Sequence, residues 1–119
     1  MRSNVPQQAL ALLGDPSYVE AARVFAERIL RDGGTSVESR LRFAYARALQ
    51  RAPNAAEMRV LEELLRRGQD EFGRDPAAAG RFVATGQYKA ASDLPAVELA
   101  AWTQVARAIL NLPELVTRS

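Results

Sequence analysis

The side chains available for chemistry in this chain are carboxylates, hydroxyls and arginines, because histidine and cysteine are both absent. Without histidine the commonest general base and the commonest metal ligand are missing. Without cysteine there can be no disulfide, thiolate metal site or covalent haem attachment. The carboxylates do not pair usefully. Glu62 and Glu63 are adjacent, so on a helix they point about 100° apart and cannot share a proton. Glu20 and Glu27 share a helix face but stand roughly 10 Å apart along the axis, and they read as solvated surface charges. Ser17, Ser39, Ser92, Thr85 and Thr103 have neither a base nor a G-x-S-x-G turn beside them, which excludes an acyl-transfer triad within the chain. Gly33-Gly34 matches neither a P-loop nor a dinucleotide fingerprint and reads as a helix stop. Met58 falls on an apolar stripe and reads as a core gap-filler. No catalytic residue, cofactor or metal is therefore expected of this chain by itself.

Arginine supplies the remaining candidates. Arg40, Arg47 and Arg51 recur along one helix face, where they could hold an anion or an acidic partner, or simply form surface ion pairs. The net charge is only +2. Residues 1–53 carry eight arginines and five acids, residues 54–85 five and six, and residues 86–119 three basic and three acidic groups. With no run of one sign, no nucleic-acid tail or polybasic patch is present, and nucleic acid is not an expected partner. No apolar run approaches the ~20 residues that span a bilayer, so no membrane span is expected, and the N-terminus shows no signal-peptide pattern.

Helices must position these groups. Gln7 to Leu13 is apolar nearly all round and reads as a short buried helix. Asp15-Pro16 starts the next one, with apolar residues recurring through Tyr18, Ala22, Phe25 and Ile29 until Gly33-Gly34. Thr35 to Glu38 reads as a capping box. The helix after it carries Leu41, Ala44, Tyr45, Ala48 and Leu49 and is expected to stop at Pro53. Asn54 with Glu57 three residues on starts a helix to about Phe72. Asp75-Pro76 caps a shorter one, residues 86–94 read as a loop, and Pro95 opens the last long helix. There Trp102 lies in stripe with Val105 and Ile109 and is the expected core anchor. No segment alternates with period two. The expected fold is all-α, an irregular bundle of about five main helices plus a short N-terminal one. At 119 residues this is a single domain, expected to be monomeric or weakly dimeric.

Two stretches carry more than composition. Arg2 to Arg23 reads RSNVPQQALALLGDPSYVEAAR, and Glu98 to Arg118 reads ELAAWTQVARAILNLPELVTR. Together they resemble the C-terminal region of the planctomycete family called domain of unknown function 1553. That family's pattern opens like R-x-N-x-P-x-Q-A-L-x-L-L-N-D-P-x-x-V-E-A-A-R and closes like E-x-A-A-W-x-x-V-A-R-x-L-L-N-L-D-E-F-x-T-R. Between them ALQRAPNAAE is similar to its L-G-R-x-P-T-x-x-E turn. The sequence departs from the pattern at Gly14, Gln50, Asn54, Pro113 and Leu115. The candidate interaction residues within these motifs are Asn4, Asp15, Glu98, Asn111 and Arg118.

The resemblance implies a long parent protein, exported to the periplasm or cell surface, with a cytochrome c-type domain upstream and no assigned activity. This chain would be its C-terminal helical portion, and its partners the upstream domains. The expected function is a non-catalytic structural or protein-interaction module. One alternative is part of an enzyme whose site lies mainly upstream; a weaker one is nucleic-acid binding. A polar cluster converging in a concave pocket, such as Asn4, Asp15, Glu98 and Asn111, would favour the enzyme. Because the two motifs sit at opposite ends, Gln7 to Leu13 is expected to pack against the Trp102 helix.

Overall fold

Local signals set the helices. The computed structural model describes residues 16–86 and 89–113. It contains α1 (Pro16–Asp32), α2 (Val37–Leu49), α3 (Ala55–Arg74), α4 (Pro76–Val83) and α5 (Ala96–Leu110). No strand occurs among the described residues. The all-α expectation and its five main helices hold. The short helix expected over Gln7 to Leu13, its contact with the Trp102 helix and the Asp15 cap lie outside the described residues.

Two boundaries differ instructively from the sequence reading. The N-cap of α2 is Ser36 rather than Thr35: its hydroxyl accepts from the Ser39 amide at 3.0 Å. Glu38 is thereby free of capping and bonds Arg42 instead, at 2.6 Å. The same helix ends at Gln50, before Pro53 can act, because Gln50 turns left-handed (φ 59°) and returns its amide to Tyr45 and Ala46 carbonyls. The expected Asn54–Glu57 box is complete. The Asn54 side chain accepts from the Glu57 amide at 2.8 Å, and Glu57 accepts from the Asn54 amide at 2.9 Å. Asp75 caps α4 through the Ala78 amide.

α5 is the central element and packs against all four other helices. Leu99, Ala100, Ala101, Trp102, Val105, Ala106 and Ile109 are buried along it. Its one buried polar side chain, Thr103, gives its hydroxyl proton to the Leu99 carbonyl at 2.7 Å, so the polar group is satisfied within the helix. The alanines let α3 approach closely. A Cβ on Gly68 would stand 3.2 Å from both Cα and Cβ of Ala101, so glycine is the residue that fits this crossing. Trp102 is 1% exposed, as expected of a core anchor.

α1 runs antiparallel to α5. The loop leading into α5 bonds the C-terminal half of α1, through Glu27 to Ala91 and Arg31 to Asp93. At the other end, Tyr18 feels the charge of Arg107. The described parts of both motif stretches therefore lie side by side, and the described chain enters at Pro16 and leaves at Pro113 at one end of the molecule. α1 has three distinct sides. Val19, Ala22, Ala26 and Ile29 face the core. Glu20, Arg23, Glu27 and Arg31 face the loop. Ala21, Val24, Phe25 and Arg28 line an open groove.

Candidate functional site

The most deeply buried charge is Arg23, 2% exposed. It sits between two carboxylates of its own helix, with Glu27 at 2.7 Å and Glu20 at 3.6 Å. It also donates to the Lys89 carbonyl at 3.5 Å, while Glu27 accepts from the Ala91 amide at 3.0 Å. Arg31 and Asp93 close the outer end at 2.6 Å. Glycine is required at position 86 for two reasons: its φ is +107°, and a Cβ there would come within 2.6 Å of the Glu20 carboxyl carbon. The loop backbone thus lies directly on the charged side of α1. This overturns the reading of Glu20 and Glu27 as solvated. Their side chains are 12% and 16% exposed, because a guanidinium placed between them offsets the cost of burial. The signal available in sequence was the i−3, i+4 spacing of the two acids about Arg23, the spacing that brings helix side chains together.

The cluster forms a clasp. The Arg23 guanidinium pairs with both acids, and Glu27 also accepts from the Ala91 amide of the loop. The arrangement ties residues 89–93 to α1.

Arg40 and Arg47 lie on one face of α2, but Arg51 follows the left-handed Gln50 beyond the helix end, and the three serve separate local tasks. Arg40 stacks 5.9 Å from the Trp102 ring and donates to the Gly34 carbonyl at 3.0 Å. Arg47 lies 5.5 Å over Phe43. Arg51 lies 5.1 Å over Tyr45 and makes a bidentate pair with Glu57 at 2.8 and 2.7 Å. That fork holds the Glu57 carboxyl at about 2, well below its ordinary range, with the Asn54 amide and the Tyr45 hydroxyl helping. Burial raises the Tyr18 phenol, against the opposing charge of Arg107.

The two described members of the remaining candidates, Glu98 and Asn111, do not converge. Glu98 accepts from the Gln69 side chain at 3.2 and 3.1 Å, tying α5 to α3. Asn111 caps the far end of α5, roughly 20 Å away along the helix axis. Asn4, Asp15 and Arg118 lie outside the described residues. No group of three or more acidic side chains suited to a metal ion occurs among the described residues, and no described helix is long and apolar enough to cross a membrane.

The groove beside α1 encloses about 490 Å³ and is lined by Ala21, Val24, Phe25, Arg28, Arg47, Ala48 and Leu110. A second exposed apolar position, Val60, lies on the outer side of α3. The geometry defines an all-α domain built around one central helix, with its buried charges directed to its own loop. The chain belongs to the family described as Protein of unknown function (DUF1553), whose sequence model matches residues 1–65. Comparison with curated proteins and with solved structures found no match.

Proposed function

We propose that this chain is a non-catalytic helical module, structural or protein-binding, at the C-terminal end of a longer protein. In this reading the parent is an exported planctomycete protein with a cytochrome c-type domain upstream, and the module's partners are those upstream domains. One observation carries the proposal: the best-buried charged cluster, Glu20–Arg23–Glu27, holds the chain's own loop rather than facing a cleft. The separate placement of Glu98 and Asn111 supports it too, since these two candidate residues do not share a site.

The test is reconstitution from two polypeptides. The upstream region and this chain are produced separately, mixed, and followed by sedimentation velocity. A one-to-one complex is expected, with any haem-dependent reduction retained by the upstream region alone. Absence of association would overturn the module reading. A turnover that needs this chain, and disappears with Arg47→Ala in a chain of unchanged helicity, would replace it with part of an enzyme's site.

A further inference from the structure

Two surfaces of the described structure combine exposed apolar side chains with charge. On the outer side of α3, Val60 is 67% exposed, but the hollow beside it is lined by both signs, and its Glu63 pairs with Arg66 and Arg67. That surface is neutralised by its own residues. The groove beside α1 differs. Its floor is formed by Val24, Phe25, Ala48 and Leu110, with Val24 50% exposed. Among the described residues the charged side chains lining it are two arginines, Arg28 of α1 and Arg47 of α2. Arg47 lies over the Phe43 ring at 5.5 Å and has no carboxylate partner among the described residues. Arg28 has only Asp32 at 3.7 Å, with both side chains more than half exposed, and such a pair is weak.

We propose that this groove docks a helix of another polypeptide, one whose apolar stripe is flanked by carboxylates. The inference deepens the protein-binding reading of the module, on which it rests, by naming a surface and the chemistry of its partner. An apolar floor is stabilised by apolar cover, and an opening of about 490 Å³ between helices suits the side chains that an amphipathic helix presents at i, i+3, i+4 and i+7. The two arginines then choose among such helices. A guanidinium meets a carboxylate as a two-pronged fork, so acidic flanks are drawn to the walls, while a lysine-flanked helix meets like charge. Nucleic acid fits poorly, because its affinity comes from neutralising many phosphates and it would leave the floor uncovered.

The probes are two synthetic amphipathic peptides with the same leucine stripe, flanked by glutamate in one and by lysine in the other. Each is titrated into the full chain labelled with nitrogen-15. The acidic peptide should shift the amides of Val24, Phe25, Ala48 and Leu110 saturably, and bind about tenfold more tightly than the basic one. Arg28→Glu combined with Arg47→Glu should reverse that order with α-helical circular dichroism unchanged, since both side chains are exposed. Equal binding of the two peptides, shifts centred on Val60, or no saturable shift at about 1 mM peptide would overturn the proposal. So would groove shifts that depend on protein concentration without peptide, which would put a second copy there, or sedimentation with phosphatidylglycerol vesicles that the double variant abolishes, which would put a membrane surface there. The two-polypeptide reconstitution separates this inference from the module reading. A complex weakened by the double variant supports the groove, a complex that survives it unchanged overturns the groove alone, and no complex with the unaltered chain overturns the module reading.

Discussion

Arg23 shows how a charge becomes structural. Its guanidinium lies between Glu20 and Glu27 and under the 89–91 backbone, so its removal leaves two half-buried carboxylates facing each other. Arg23→Met should destabilise the fold by about 3–5 kcal/mol, the range for breaking a buried pair. Hydrogen exchange should show the Ala91 amide losing protection first. Glu57 behaves differently because it is nearer water. Its carboxyl is depressed to about 2 on folding, so the unfolded chain binds that proton more readily. Its stabilisation is complete above the unfolded value near 4.5 and is lost as pH falls toward 2. Glu57→Gln should therefore cost about 1–2 kcal/mol at neutral pH and almost nothing at pH 2. Urea titrations at the two pH values check this. The Glu57 cap was legible in the sequence because its partner lies three residues away. The burial of Glu20 and Glu27 was not, because what covers them arrives from more than sixty residues downstream.

Among the elements, α2 and α3 carry the clearest consequences. Gln50 occupies a left-handed position at the end of α2, the kind of position glycine takes without strain. A non-glycine residue is strained there, so Gln50→Gly should raise stability by about 1 kcal/mol, read as a higher thermal midpoint. In α3 two glycines make opposite predictions. Gly73 meets nothing within 4 Å of a built Cβ, and Gly73→Ala should gain about 0.5–1 kcal/mol from helix propensity. Gly68 meets Ala101 at 3.2 Å, and Gly68→Leu should cost about 1–3 kcal/mol by forcing α3 off α5. Thermal unfolding of the three variants in one buffer decides all three signs. Sequence periodicity located both helices, since caps and stripes are local. It missed the role of Gly68, because a close helix crossing is a property of two elements and neither segment alone announces it. The same limit applied to the arginine stripe. Spacing put Arg40, Arg47 and Arg51 on one face, but the helix ends before Arg51, and the rings that engage the three, Trp102 above all, belong partly to another helix.

At the scale of the molecule, the antiparallel seam between α1 and α5 sets the order of assembly. The clasp joins residues 66 apart, Arg23 and Lys89, whereas the Arg51–Glu57 fork joins residues six apart. Closing the longer loop costs about 2 kcal/mol more in chain entropy. The α1–α5 seam, which joins elements far apart in sequence, should therefore close more slowly than contacts between neighbouring helices. The α2–α3 corner can form early, and the seam closes late. Substitutions that shorten seam side chains, such as Ile29→Val or Ile109→Val, should speed unfolding and leave the refolding rate nearly unchanged. Stopped-flow chevrons read this directly: a refolding limb slowed as much as the unfolding limb is accelerated would place the seam in the folding nucleus instead. On a ribosome the consequence is temporal. α1 emerges before α5 and must wait for it before its alanine-lined side is covered, so while the intervening residues are made that side is accessible to a chaperone.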